Sequence, residues 1–271
     1  AIEPEAVAMF RPGSEAPPLR TATPVLRGAD SLRQSLIPSL LAARQFNEKA
    51  SNPVIELFEI AKVYLPDRVS LPDEKQVLTL TSGAGYLTLK GVIEAILDTL
   101  HVQAKLACQP IREIGLLDKG RSTQLMIDQR TLGVLGDLST AGLEQAGLRR
   151  PAAVAELDLA VLLDLAELVP MAEPLSPYPP IGRDLNIVVD DAVRWAQVEE
   201  VVREAGGALI ESIAFQDVYR DPQRLGAGKK SLLFSLQLRA ADQTLTNEEA
   251  DALRERVVQA INQELGGELR S

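Results

Sequence analysis

The sequence predicts an α+β protein of two domains, an antiparallel-sheet module followed by a ferredoxin-like sandwich. Mixed alternating and helical apolar patterns predict the first domain, residues 1–169, after an irregular lead-in over residues 1–20. Five prolines within residues 170–180 mark a boundary, because proline fixes φ and removes a backbone donor. We assign the linker to residues 170–175 and the second domain, with its βαββαβ order, to residues 176–271.

The first domain opens with helical and strand patterns in turn. Ser31–Phe46 carries a helical leucine face that Pro38 interrupts. Residues 54–65 and 77–83 are rich in β-branched and aromatic residues and predict two strands. Residues 89–101 place leucine, isoleucine and valine at i, i+3, i+4 and i+7, which predicts an amphipathic helix.

The rest of the first domain predicts a hairpin and a strand that runs into a helix. Residues 122–138 read as two short strands around a turn at Asp128-Gln129-Arg130. Residues 153–165 begin as a strand and end as a short helix. These patterns predict a largely antiparallel sheet with helices packed on it.

The second domain has a cleaner pattern. A helix over residues 194–207 carries valines on one face and stops at two glycines. A second helix begins at a capping box, Thr246 to Glu249. The strands cover residues 184–190, 209–220, 230–239 and, as a short last strand, 268–270.

Composition limits the possible classes of function. The 271 residues are 46% hydrophobic and 24% charged, with no apolar run near the ~20 residues of a membrane span and no signal peptide. A single cysteine, Cys108, and a single histidine, His101, argue against a disulfide framework, a metal site and usual acid–base catalysis. We therefore expect a cytoplasmic protein without a membrane or DNA partner. The net charge of −10 opposes non-specific coating of nucleic acid but allows a local basic patch.

The stretch GAGKKS, residues 226–231, resembles a phosphate-binding loop at first sight. A Walker loop requires GxxxxGK followed by Ser or Thr, and it connects a strand to a helix. Here Lys230 follows Gly228-Lys229, Gln223 occupies the first glycine position, and the loop lies between two predicted strands. The stretch is therefore interpreted as a hairpin connection.

Basic residues nevertheless gather around this hairpin in an acidic chain. Alternation in the following strand separates Leu232, Phe234, Leu236 and Leu238 from Ser235, Gln237 and Arg239. Since the helices of a ferredoxin-like sandwich cover one sheet face, the polar set predicts a free face suited to single-stranded nucleic acid. A solvated surface remains the alternative. The clustered cations are Arg220, Arg224, Lys229, Lys230 and Arg239.

Catalytic motifs are missing from the sequence. It contains no GxSxG, HExxH, GxGxxG or paired Cys/His. Glu59 lies in an alternating strand pattern and is interpreted as an outward residue. We therefore assign no catalytic residue.

Residues 176–271 resemble the C-terminal anticodon-binding domain of the bacterial phenylalanyl-tRNA synthetase β subunit. The motifs are SPYPPIGRDLNIVVD, DVYR, GKKS, TLT and the terminal LGGELR. The first domain resembles the same subunit through LRQSLIPSLLAA, LFEIAKVY, LTLKGVIEAIL and KGRSTQLMID. The chain departs from the family pattern at Ala61, where glycine is usual, and at Gly182-Arg183, where two basic residues are common.

This resemblance implies a class II synthetase-like module that has lost catalysis, followed by a tRNA-binding domain. It implies an α₂β₂ heterotetramer whose separate α subunit uses ATP and Mg²⁺ to attach phenylalanine to tRNA, with no cofactor bound by this segment. The ATP-binding F-R-x-E motif is missing here. The resemblance also implies that the present chain is the C-terminal part of a longer subunit.

Combining the cation cluster with this resemblance, we expect phenylalanine tRNA to contact one set of side chains. Lysines and arginines would meet phosphates, and a tyrosine would stack on a base. A ferredoxin-like module that binds a small regulatory ligand and no RNA is the alternative. The expected tRNA-binding residues are Tyr178, Arg183, Tyr219, Arg220, Lys229, Lys230 and Arg239.

Overall fold

The computed structural model of the chain describes residues 10, 16–23, 30–67, 71–111, 114–169 and 175–270. The chain forms two compact units, Ala1–Met171 (unit 1) and Ala172–Ser271 (unit 2). Most of the expected lead-in and nearly all of the expected proline-rich linker lie outside the described residues.

Unit 1 is built on a six-stranded sheet in which neighbouring strands are antiparallel. Its strands are β1 (Leu57–Leu65), β2 (Asp73–Ser82), β3 (Leu106–Pro110), β4 (Leu117–Ile127), β5 (Arg130–Leu138) and β6 (Ala153–Asp158). They lie in the order β1-β2-β6-β5-β4-β3. The described helices of unit 1 are α1 (Ile37–Lys49), α2 (Tyr86–Thr99), α3 (Thr140–Gln145) and α4 (Leu159–Leu165).

The two faces of this sheet carry different side chains, because successive residues of a strand point to opposite faces. Leu80 of β2 and Leu157 of β6 are buried in one apolar core with Ile93 of α2 and Leu162 of α4. On the other face, buried polar groups of the same strands face the α1 side, among them Thr79 and Glu156. This face, called here the polar face, also carries apolar residues that pack against α1, among them Val154 with Leu41.

Helix α1 begins at Ile37, later than the Ser31 start that the leucine pattern predicts. Pro38 lies in the first turn, where its missing N–H breaks no helical hydrogen bond. The N-cap residue Leu36 makes no side-chain cap, and its N–H donates instead to Glu156 Oε2 at 2.7 Å. A buried carboxylate therefore takes the place of a capping side chain.

The predicted hairpin and helices of unit 1 are confirmed. Asp128 and Gln129 have φ of 46° and 64°, as a two-residue hairpin turn requires. Strand β3 and helix α3 were not foreseen. The five residues of β3, Leu-Ala-Cys-Gln-Pro, are too few and too mixed to show an alternating pattern.

Unit 2 confirms the predicted βαββαβ order and the α+β class. Its elements are β7 (Ile181–Asp190), α5 (Trp195–Gly206), a 3₁₀ turn (Gly207–Leu209), β8 (Ile210–Tyr219), α6 (Pro222–Leu225), β9 (Lys229–Leu238), α7 (Asn247–Leu265) and β10 (Glu268–Leu269). The four strands lie antiparallel in the order β10-β7-β9-β8. This is the strand order of a ferredoxin-like sandwich.

Helices α5 and α7 bury one face of this sheet. Val198 and Val202 of α5 and Val257 of α7 pack with Phe234 of β9 in one apolar core. The predicted capping box of α7 is present, with Thr246 Oγ1 accepting from the Glu249 N–H and Glu249 Oε2 accepting from the Thr246 N–H. The Thr246 N–H and hydroxyl both donate to Glu249 Oε2, and these two bonds lower the pKa of Glu249. Both helices thus lie on one side and leave the other side of the sheet uncovered by the helices of unit 2.

Candidate nucleic-acid interface

The uncovered side of the unit 2 sheet, called here the open face, is formed by alternate residues of β7, β9 and β8. Across these strands its rows are Gly182–Gln237–Ser212, Asp184–Ser235–Ala214, Asn186–Leu233–Asp217 and Val188–Ser231–Tyr219. Leu185, Ile187, Leu232, Phe234 and Leu236, which lie between these rows, are buried in the apolar core, whereas Arg183 bonds Asp251. The predicted separation of Ser235 and Gln237 from Leu232, Phe234, Leu236 and Leu238 is therefore confirmed.

Polar side chains on the open face are held by one another. The Ser235 hydroxyl donates to Asp184 Oδ1, and the Ser231 hydroxyl donates to Asn186 Oδ1. Leu233 lies between these two pairs and is 37% exposed. The face thus presents hydrogen-bonding groups around a small apolar centre.

An aromatic ring marks one edge of the open face. The guanidinium carbon of Arg270 lies 4.9 Å from the centre of the Tyr219 ring, within the range of a cation–π contact. The Tyr219 hydroxyl donates to Asp221 Oδ2 at 2.8 Å, and this bond is the main reason that the pKa of Asp221 is lowered. Tyr219 is therefore oriented from both sides, by Arg270 and by Asp221.

Four of the seven expected site residues lie where β9 begins, called here the turn end: Tyr219, Arg220, Lys229 and Lys230. Lys229 is exposed and pairs in register with Asp190. The side chain of Lys230 is only 10% exposed, and its Nζ donates to the main-chain oxygen of Asp191 at 2.8 Å. Arg220 Nε lies 2.8 Å from Asp191 Oδ1. The two adjacent lysines therefore occupy different environments.

The other three expected residues lie where β9 ends, called here the entry end. Arg183 Nε donates to Asp251 Oδ1 of helix α7 at 2.8 Å. Arg239 Nη1 donates to the main-chain oxygen of Tyr178 at 2.7 Å, and Arg239 Nε lies 2.9 Å from a carboxylate oxygen of Glu211. Since β9 has ten residues, roughly 30 Å separates the two ends. The seven residues thus form two groups rather than one cluster.

Sequence reasoning missed some residues of this surface. Asn186 is not among the expected site residues, and its bond to Ser231 depends on the register of β7 against β9. Arg270 reaches the open face because its N–H donates to the Asn186 oxygen at 2.7 Å, continuing the pairing of β10 with β7. The alternating pattern of a two-residue strand was too short to signal that contact.

The open face is not uniformly basic. Asp184, Asp217 and Glu268 are exposed on it beside Arg270. Carboxylates repel phosphate but accept hydrogen bonds from the N–H groups of bases. The centre of the face is therefore suited to bases and its turn end to phosphates.

Among the residues that the structure describes, there is neither a group of side chains that could hold a metal ion nor a helix that could span a membrane. No group of three or more His, Cys, Asp or Glu side chains there could hold a metal ion. No helix in the described ranges is long and apolar enough to cross a membrane.

Two protein families match this chain. Residues 2–159 match the phenylalanyl tRNA synthetase beta chain CLM domain, and residues 176–270 match the ferredoxin-fold anticodon binding domain. Together these matches cover nearly all of both units.

Curated relatives agree with the family matches. A phenylalanine–tRNA ligase beta subunit from Rhodopirellula baltica is 35% identical, with 95% of this chain and 39% of the relative covered. The same subunit from Geobacillus kaustophilus is 31% identical, with 94% and 33% covered. The chain thus spans only a third to two fifths of the length of these relatives. A pyrrolysyl-tRNA synthetase from Desulfitobacterium hafniense shares 18% identity over 65% of each chain at a TM-score of 0.46, a likeness too weak to bear on function.

Proposed function

Because the chain belongs to the phenylalanyl-tRNA synthetase beta chain family, we propose that unit 2 binds the anticodon stem-loop of phenylalanine tRNA on its open face. The observation that carries the proposal is the open face itself, a polar sheet surface with a held tyrosine at its edge. The match of residues 176–270 to an anticodon-binding domain supports it. Single-stranded RNA loops are bound by such sheets, through stacking and hydrogen bonds to unpaired bases.

In this proposal the turn end makes two kinds of contact, one with a base and one with phosphates. An unstacked base would have to replace the Arg270 guanidinium on the Tyr219 ring, next to the hydrogen-bonded pair of Ser231 and Asn186. Lys229 and Arg220 would neutralise backbone phosphates at the turn end. Each of them is exposed enough to meet a ligand without unfolding its strand.

The remaining expected residues are held more firmly by internal partners. Lys230, Arg183 and Arg239 would have to exchange the partners described above before they could contact RNA. Tyr178 contributes its main-chain oxygen to Arg239, which leaves its ring as a second aromatic surface at the entry end. We expect these four residues to contribute less to RNA affinity than Lys229, Arg220 and Tyr219.

Filter binding across a salt series tests the proposal. The 271-residue chain should bind a phenylalanine tRNA transcript more tightly than a control tRNA. Lys229→Ala should reduce the slope of log affinity against log salt by about one, because one phosphate contact is lost. Lys230→Ala is the matched control, since the same charge is removed from a buried position, and it should change the slope less. Equal affinity for both tRNAs, or a slope unchanged by Lys229→Ala, would contradict the proposal.

We further propose that unit 1 packs against the α subunit of an α₂β₂ phenylalanine–tRNA ligase in the cytoplasm. Phe58 and Ile60, which lie exposed on one face of the edge strand β1, support this, because neighbouring exposed apolar side chains can mark a protein interface. Phe46 on α1 and Leu163 on α4 are also exposed. Co-purification with the α subunit should fall when Phe58 and Ile60 are both changed to serine, and unchanged co-purification would count against this surface.

Catalysis, with ATP and Mg²⁺, is assigned in this proposal to the α subunit. The polar face of the unit 1 sheet supports that division, because its central carboxylate, Glu156, is buried against Ser35, Leu36 and Thr79. A buried acidic group in that place would repel a nucleotide phosphate. Calorimetry of the 271-residue chain with ATP should therefore show no binding heat, and saturable binding would contradict the assignment.

A further inference from the structure

Asp191 lies at the turn end of unit 2, immediately after β7, and its main chain is fixed on both sides. Its N–H donates to the main-chain oxygen of Gly228 at 2.7 Å. Its own main-chain oxygen accepts from Lys230 Nζ at 2.8 Å. The residue is therefore tied to the β8–β9 connection before its side chain makes any contact.

The carboxylate of Asp191 then holds Arg220, the first residue after β8. Asp191 Oδ1 lies 2.8 Å from Arg220 Nε, whereas Lys230 Nζ lies 3.9 Å from the same oxygen. The described ion pair of Arg220 uses Nε alone, which leaves its two terminal amino groups for another acceptor. Those groups form the fork that binds a phosphate with two parallel hydrogen bonds.

We infer that Asp191 is a positioning residue for RNA binding, which holds the Arg220 guanidinium in the orientation that receives a backbone phosphate. This inference rests on the proposed function, since it requires Arg220 to face bound RNA. Asp191 itself touches no phosphate. It restricts the Arg220 side chain already in the free protein, so that less conformational entropy is lost when RNA binds.

Simple charge counting gives the opposite expectation, and this makes the inference testable. Asp191 is a negative charge beside an anion-binding surface, so its removal alone should strengthen RNA binding. If Asp191 orients Arg220, its removal should weaken binding instead. An exposed ion pair adds little to the stability of the fold, so the melting temperature should stay nearly constant.

The test compares Asp191→Asn in two backgrounds. Asparagine keeps the main-chain bonds to Gly228 and Lys230 and removes the negative charge that lies 2.8 Å from Arg220 Nε and 3.9 Å from Lys230 Nζ. With a phenylalanine tRNA transcript, Asp191→Asn should weaken binding roughly threefold to tenfold in the wild-type chain, and it should have no weakening effect when Arg220 is already alanine. Asp190→Asn is the matched control: this neighbouring exposed acid accepts from the Ala192 N–H and holds no described cation. It should leave binding unchanged or slightly tighter.

Each result points one way. Tighter binding by Asp191→Asn, as in the Asp190→Asn control, would overturn the inference and leave the proposed function standing. Equal weakening with and without Arg220 would also overturn it, because the effect would not pass through Arg220. Absence of specific tRNA binding by the wild-type chain would instead overturn the proposed function. Weakening only in the presence of Arg220, at an unchanged melting temperature, supports the inference.

Discussion

Two antiparallel sheets in this chain carry polar side chains on one face. In unit 1 a helix covers that face, and in unit 2 the helices lie on the other face. In unit 1 the polar face lies against α1, where Glu156 Oε2 accepts hydrogen bonds from the Leu36 N–H, Ser35 and Thr79 at 2.7–2.9 Å. In unit 2 the polar rows lie on the open face. The difference teaches that polar groups on a sheet can form a binding surface only where no helix of the same unit covers them.

The comparison also shows how a buried charge can serve a fold. Glu156 is 7% exposed and has no ion-pair partner among the groups that set its pKa. It is held by donors alone, one of them the N–H at the start of α1, where a negative group is favoured. In unit 1 this chemistry fixes a helix to a sheet, whereas in unit 2 similar groups remain for a ligand.

Removal of the Glu156 carboxylate should have the largest effect on stability. Glu156→Ala leaves three buried donors without their acceptor, so we expect a loss of about 3 kcal/mol in the free energy of unfolding, measured in urea. Glu74→Ala, at an exposed ion pair with Lys62 on the same sheet, is the control and should change stability little. Similar losses of unfolding free energy for the two variants would show that the hydrogen bonds to Glu156 do not stabilise unit 1.

A pair of glycines should give the next largest difference. A Cβ added to Gly133 in β5 would lie 2.0 Å from the main-chain oxygen of Glu156, whereas at Gly182 in β7 the nearest atom would be Gln237 Nε2 at 3.7 Å. Gly133→Ala should therefore cost roughly 1–3 kcal/mol through overpacking. Gly182→Ala, on the open face, should be nearly neutral. Chemical denaturation of both variants measures this, and a tolerated Gly133→Ala would contradict the close packing of unit 1.

The smallest effect should appear in the pH dependence of stability. Burial raises the pKa of Glu156 above its ordinary 4.5, and the hydrogen bonds from Leu36, Thr79 and Ser35 offset this only in part. The folded chain then binds this proton more tightly than the unfolded chain. Its contribution to stability is therefore present below the ordinary pKa and is lost as pH rises through the raised one.

Glu156→Gln removes that titration and supplies the measurement. As the pH rises from about 4.5 through the raised pKa of Glu156, the wild-type chain should lose stability relative to the glutamine variant. A difference that stays constant, or that changes in favour of the wild type, would mean that the carboxylate is not held in a desolvated site.

Much of the fold could be predicted from sequence because it rests on local patterns. The α2 leucine face, the Asp128-Gln129 turn and the Thr246–Glu249 capping box each depend on residues close in the chain. The start of α1 could not be predicted in this way. It depends on a carboxylate that lies 120 residues away from Leu36 along the chain.

The sequence predicted which residue types form the candidate site, but it predicted their arrangement only in part. Alternation placed Ser235 and Gln237 on the free face, and it gives Lys230 the parity of the core residues Leu232 and Phe234. It could not show that Lys230 Nζ bonds the main-chain oxygen of Asp191. Nor could it bring Arg270 to Tyr219, because that contact requires the pairing of β10 with β7. Side-chain partners set by strand register are what the linear pattern leaves out.

Site-directed crosslinking tests the central claim most directly. With Cys108 replaced by serine, a cysteine at Leu233, in the middle of the open face, can carry a photoreactive probe; a cysteine at Glu200, exposed on α5, is the control. With bound phenylalanine tRNA, the Leu233 probe should form adducts that map to the anticodon loop, and the Glu200 probe should form few. Equal labelling from both positions, or adducts outside the anticodon stem-loop, would contradict binding on the open face.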